Sequence, residues 1–343
     1  MGPSLITANF RANERQLSAL LSLLKEMQIP KPDESSSLSF SWNGSKSALA
    51  NCYLAIFSVC HQTSPLGEPP LQGAFNGQKR VGWEYLKEKF LRTAASSSEW
   101  CDPKHWAALS PQALSQIYED PLYGKTLNRI NERTYLLNDL GRMLDRNGFS
   151  SIQDAFLKCD GTLEGEKGFL AFLRKAIAFQ DPVQKKSMAF LAVAVSECGW
   201  KLSSKSRLSS PVDYNLLRGH LRLGLISPTT IEVGQKIELG LPLTEIEDSE
   251  LRLLTQTVDD AFAEKLQISP GKLHYLFWHL FRACCGRDAS RTHCNGCTPE
   301  CALPKVYRLM TSHQQHACPF QTMCPSAGKY NKLLDPPYAG HYY

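Results

Sequence analysis

Apolar residues along this chain recur mostly at helical spacing. Leu17, Leu20, Leu21, Leu23 and Leu24 follow Asn13-Glu14, which predicts an amphipathic helix closed by Pro30 and Pro32. The stretch 48–60 is apolar almost all round and reads as a buried helix. Further helices are predicted at 83–92, at 111–118 with Ser110 as cap and Pro111 in the first turn, and at 127–147. The pattern continues from a Ser150 or Ser151 cap through Leu157, and then at 168–179, 185–196, 213–225, 245–266 and 273–284. Leu38–Trp42 reads as a short extended piece, and the Pro- and Gly-rich 65–77 as an irregular connection. About ten helices and no convincing strand pairs predict an all-α fold. After Cys284 the periodicity gives way to Cys, Pro, Gly and His, so a helical body is followed by a cysteine-rich tail.

Composition narrows the class. At 343 residues, 43% hydrophobic and 21% charged, the chain can bury a sizeable core. No run of about 18 apolar residues occurs, and 1–25 alternates polar and apolar, which predicts neither a membrane span nor a secretory leader. The expectation is a cytoplasmic monomer without a membrane partner. A net charge of +5 suits polyanion binding without requiring it. Seven of the twelve cysteines lie between Cys284 and Cys324, a clustering that points to a metal site rather than to disulfides.

One stretch carries the most specific signal. Pro211-Val212-Asp213-Tyr214-Asn215-Leu216-Leu217-Arg218 leads through Arg222 to Leu223-Gly224-Leu225. Asp213 follows a Ser/Pro-rich turn and opens a helix, so its carboxylate suits the first free backbone N–H groups. The same pattern, an acid after Val and two arginines before Leu-Gly-Leu, resembles the catalytic-aspartate segment of endonuclease-III-like helix-hairpin-helix DNA glycosylases.

Two further segments resemble that family in the same order. Phe179-Gln180-Asp181-Pro182-Val183-Gln184-Lys185-Lys186 resembles its hairpin turn and places Lys186 where some members carry a nucleophilic lysine. Pro182 and Gln184 stand where the family has glycines, whose N–H groups approach a DNA phosphate; a proline has none to offer. Downstream, Cys285, Cys294, Cys297 and Cys301 resemble the family's iron–sulfur loop, with C-x8-C-x2-C-x3-C spacing. Close thiolates suit a [4Fe–4S] cluster or zinc, and Cys284, Cys318 and Cys324 are alternative ligands.

The body is also similar to queuosine-salvage N-glycosidases, which lack the tail. The match rests on the order of 38–42, Asn131-Glu132-Arg133, 179–186, Val212-Asp213-Tyr214, 249–252 and 273–278. The resemblances imply a helix-hairpin-helix glycosylase-like fold divided into an N-terminal helical part at 1–125, a catalytic core at 126–283 and a metal-cluster tail at 284–343. They imply Asp213 and Lys186 as catalytic, and Tyr214, Phe40, Trp42, Glu132 and Asp181 as substrate-binding. They also imply Lys185, Arg287 and Arg291 as nucleic-acid contacts, and a basic loop inserted relative to the family at about 201–209 adds Lys205 and Arg207. The expected activity is hydrolysis of the base–sugar bond of a modified nucleobase in DNA. The alternatives are the same chemistry on a free modified nucleotide, and an inactive metal-bound adaptor.

Overall fold

The computed structural model describes residues 5–27, 29, 40–65, 68–286, 318–327 and 340–342. In chain order these form β1 (Phe10–Ala12), α1 (Glu14–Glu26), α2 (Lys46–Ser58), β2 (Gln72–Phe75), β3 (Gln78–Val81) and α3 (Trp83–Ser96). Next come α4 (Pro103–Ala107), α5 (Pro111–Ile117), β4 (Glu119–Asp120), β5 (Gly124–Lys125), α6 (Ile130–Arg146), α7 (Ile152–Lys158), α8 (Phe169–Leu173) and α9 (Lys185–Cys198). The last are α10 (Tyr214–Arg222), β6 (Ile226–Pro228), α11 (Ile231–Leu239), α12 (Glu245–Leu266) and α13 (Pro270–Cys284). The chain is helix-dominated. No helix among the described residues is long and apolar enough to cross a membrane.

The helices begin where side chains can satisfy their free N–H groups. Asn13, Ser45, Ser110, Ser151, Thr230 and Ser269 each accept from a first-turn N–H, and Thr244 with Glu247 forms a reciprocal capping box on α12. Pro111 and Pro270 occupy first-turn positions, where a missing N–H costs nothing.

The expectation of no strand pairs is corrected: three short antiparallel pairs are present, β1 with β6, β2 with β3 and β4 with β5. The β2–β3 hairpin lies partly in the connection expected to be irregular. Its turn is Asn76-Gly77, both at positive φ (50° and 73°), the conformation a two-residue hairpin requires. The helix expected over 168–179 is shorter, with α8 stopping at Leu173 and a 3-10 turn at Ile177–Phe179.

The chain forms two compact units. The first takes its residues from 1–37 and 209–339 and the second from 38–208 and 340–343. In the second, α2 is buried along nearly its whole length, with Leu49 to Ser58 all buried, and packs on α3, α6, α7 and α9. In the first, α10 packs on α12 and α13, and β1 packs on α12. The expected boundary at 125/126 falls inside the second unit, between β5 and α6. Asp213 and Lys186, expected in one core, belong to different units.

Candidate functional site

In the first unit, Asp213 is the N-cap of α10. One carboxylate oxygen accepts the N–H groups of Asn215 (2.9 Å) and Leu216 (3.1 Å), and the other accepts the Asn215 side-chain amide (3.1 Å). Arg218 braces this arrangement. It donates to Asn215 Oδ1 (2.8 Å), to the carbonyl of Phe281 (3.1 Å) and to that of Cys285 (2.7 Å). One arginine thus ties the carboxylate's partner to the end of α13.

The turn before Asp213 is held as firmly. Ser210 donates its N–H to Asp260 (2.7 Å) and its hydroxyl to Asp259 (3.1 Å), while its carbonyl accepts from Gln256 (2.9 Å), all three on α12. Asp259 also binds His220 Nε2 at 2.8 Å, and His220 Nδ1 meets the Leu216 carbonyl at 2.8 Å. Burial pushes the Asp260 carboxyl up to about 6, against the lowering effect of the Ser210 N–H. Asp213 is therefore fixed from both sides, and its oxygens keep one orientation. Tyr214, the next residue, is partly exposed.

Arg222, the second arginine of the pattern, reaches the start of the cysteine region. It donates to the carbonyl of Gly286 and to Cys285 Sγ (3.5 Å), and its own carbonyl accepts from Cys324 Sγ (3.5 Å). Burial raises the Cys324 thiol above its ordinary value. Cys285 and Cys324 thus meet the same residue. The expected ligands Cys294, Cys297 and Cys301, and the expected contacts Arg287 and Arg291, lie outside the described residues. Among the described residues no group of three or more His, Cys, Asp or Glu is placed to hold a metal ion.

The second unit gathers Glu132, Asp181, Lys185 and Lys186 around the C-terminal end of α2. A helix leaves its last carbonyls without intrahelical donors and carries partial negative charge there. Lys186, fully buried, donates to the Ser58 carbonyl at 2.7 Å. Arg133, also fully buried, donates to the Val59 carbonyl, to the Asn128 carbonyl (2.8 Å) and to Asn128 Oδ1 (2.8 Å). Burial lowers Lys186 to about 7 and Arg133 to about 10. Cys60 opposes the Lys186 shift, and Lys185 and Arg133 add to it. Lys185 Nζ points at Cys60 Sγ (3.8 Å).

His61 lies at the centre. It is wholly buried, and neither ring nitrogen has a hydrogen-bond partner among the described residues. Its nearest carboxylate, Glu132, is 3.7 Å from Nε2, and Glu132 is also 3.5 Å from Arg129. Burial, then the charges of Lys186 and Arg133, push the imidazole far below its ordinary range, so it is neutral. The segment 340–342 completes the group. Gln62 donates to the Gly340 carbonyl (3.4 Å), His341 Nε2 meets the Ile177 carbonyl (3.2 Å), and the His341 ring stands edge-on to His61 at 6.4 Å.

Asp181 takes a role the sequence did not suggest. Its carboxylate accepts the N–H groups of Val183 (3.2 Å) and Lys185 (2.8 Å), and its carbonyl accepts that of Gln184 (2.9 Å). The donors of the hairpin-like turn are thus consumed internally. Gln184 adopts the left-handed conformation (φ 59°) just before α9.

Phe40 and Trp42 pack partly buried against the core of the second unit. Phe40 lies under the Arg92 guanidinium at 5.0 Å, and Trp42 donates its indole N–H to the Ser45 carbonyl (3.3 Å). Lys205 and Arg207 are exposed on the loop before Ser209. His61, Cys60, His341 and the α12 residues Gln256, Asp259 and Asp260 were not among the expected site residues. No family model matches this chain, and no curated protein matches it.

Proposed function

We propose that the chain hydrolyses the N-glycosidic bond of a modified nucleobase, within a helix-hairpin-helix glycosylase-like architecture. The setting of Asp213 carries this reading. Its carboxylate is oriented by three N–H donors, and its neighbours are clamped by Arg218 on one side and by α12 on the other. As the base departs, positive charge builds on the sugar, and a preorganised carboxylate stabilises it. Asp213 then takes a proton from the water whose oxygen bonds to the sugar carbon, and the base leaves with its bonding electron pair and gains a proton. The cysteine tail enters as structural support for a [4Fe–4S] cluster or zinc. Cys284, Cys285, Cys318 and Cys324 are its described thiols, and no chemical step runs through the metal.

Asp181 favours a free nucleotide over duplex DNA as substrate. A hairpin that anchors DNA offers backbone N–H groups to a phosphate. Here Asp181 occupies those donors and places negative charge where the phosphate would sit.

The test is base release by wild type and Asp213→Asn, with DNAs carrying natural and modified bases and with modified nucleoside 5′-monophosphates including queuosine monophosphate. Asn caps helices about as well as Asp, so the variant keeps the fold while losing the charge. Release by wild type and a drop of roughly 10²-fold or more in the variant is expected. Equal release by the two proteins removes Asp213 from the chemistry. Release from DNA alone overturns the nucleotide preference.

A further inference from the structure

Two thiols in the second unit lie closer together than their burial requires. Cys52 sits in the middle of α2, and Cys101 ends the 3-10 turn Ser98–Cys101; their sulfurs are 3.3 Å apart. The approach is held in register by the residue beside Cys52. Asn51 donates its side-chain amide to the Cys101 carbonyl (2.9 Å) and to that of Ser150 (3.2 Å), and its oxygen accepts the Ile152 N–H (2.9 Å). Cys52 is fully buried, whereas Cys101 is partly exposed. An oxidant in solvent therefore meets Cys101 first, with Cys52 waiting behind it.

We infer that Cys52 and Cys101 form a reversible oxidation site, in which Cys101 is the attacking thiol and Cys52 the resolving one. Closing the pair takes the sulfurs from 3.3 Å to the roughly 2.05 Å of a disulfide. The co-reactant is a hydroperoxide such as hydrogen peroxide. The Cys101 thiolate attacks one peroxide oxygen, the O–O bond breaks, and hydroxide leaves to become water, giving a sulfenic acid. The Cys52 sulfur then attacks the Cys101 sulfur, the S–O bond breaks, and the departing hydroxide takes the Cys52 proton as a second water. Two thiols are oxidised by two electrons and one peroxide is reduced; a dithiol reverses the step. The S–H of Cys52 donated to Cys101 also lowers the Cys101 thiol, which favours the nucleophilic form.

Cys198, another buried thiol of the second unit, is a rival partner for Cys52. The experiment exposes the reduced full chain to hydrogen peroxide, blocks remaining thiols with N-ethylmaleimide and digests with trypsin without reductant. The expected product joins peptide 47–79 to peptide 93–104, with fragmentation placing the link at Cys52 rather than Cys60. It disappears after dithiothreitol and is absent from Cys101→Ser. In Cys52→Ser, Cys101 should stop as a sulfenic acid that dimedone traps. Full alkylation of Cys101 after peroxide, over-oxidation to the sulfinic acid in the wild type, or a Cys52–Cys198 link would each overturn the assignment.

Discussion

Four buried polar side chains at the start of α10 are fully engaged, whereas two around the end of α2 are not. Asp213, Asn215, Arg218 and His220 are nearly or wholly buried, and each has its donors or acceptors engaged at 2.7–3.1 Å. In the second unit, among the described residues, Lys186 has a single hydrogen bond and His61 has none, although both are wholly buried. A buried polar group without a partner costs roughly 1–3 kcal/mol. The first arrangement stores its polar groups as scaffold. The second retains groups that stability alone would discard, and strain of that sort concentrates at sites that do something. The contrast separates a residue that needs rigidity, Asp213, from residues held in an unusual protonation state.

The sharpest way to break the comparison is to remove a brace from the saturated side. Arg218→Ala would leave Asn215 Oδ1 and the Cys285 carbonyl without this donor, and would leave the Phe281 carbonyl with only the Cys285 N–H. The expected loss is roughly 3 kcal/mol or more, read as a fall in the denaturant midpoint. A loss below about 1 kcal/mol would show that water replaces the guanidinium and that the network is not a scaffold.

On the unsaturated side the effect should have the opposite sign. A lysine whose pKa falls from 10.5 to about 7 is resisted by the folded state, while the unfolded chain binds the proton freely. Its cost is full below pH 7 and fades as pH rises toward 10.5. Each tenfold weakening of proton binding in the folded chain costs roughly 1.4 kcal/mol, offset in part by the bond to the Ser58 carbonyl. Lys186→Met should therefore be more stable than wild type at pH 6, with the advantage shrinking steadily toward pH 10. Thermal unfolding of both proteins across that range decides it. A destabilised variant at pH 6 would mean that Lys186 serves mainly as a cap on α2.

Much of the scaffold was legible in the sequence because helix starts are written locally. Ser110 and Ser151 announce their helices, and apolar spacing fills in the others. The Asn76-Gly77 hairpin was missed, although that pair between two extended runs is a strong short-range turn signal, because the surrounding Pro and Gly read as an irregular connection. The pairing of Phe10–Ala12 with Ile226–Pro228 was not readable, because register over such a separation is set by tertiary packing. At the site, Asp213 announced itself as a helix start, and Glu132, Asp181 and Lys186 came only from resemblance. The clamp on Ser210 was hidden because Asp259-Asp260 on a predicted helix looks like any solvated acidic face. His61 and His341 were hidden for a different reason. Each lies outside a periodic segment, and only the fold brings them within 6.4 Å.

His341 gives the smallest and most local test of the contrast. It is half-buried, and burial together with the Lys186 charge lowers its pKa. A histidine depressed in this way is docked while neutral. The unfolded or undocked form binds its proton first, so docking weakens as pH falls through the ordinary value near 6.5. His341→Ala removes the contact with the Ile177 carbonyl and the ring beside His61, a loss of about 1 kcal/mol. That change is small for the whole chain, but it falls on the cover of a buried amine. If the 340–342 segment shields Lys186, acetic anhydride at pH 8 should modify Lys186 several-fold faster in His341→Ala than in wild type, while the exposed Lys205 reacts equally in both. Identical labelling of Lys186 in the two proteins would show that the packing of α9 on α2 suffices to bury it, and that the unsatisfied group is closed off without the help of His341.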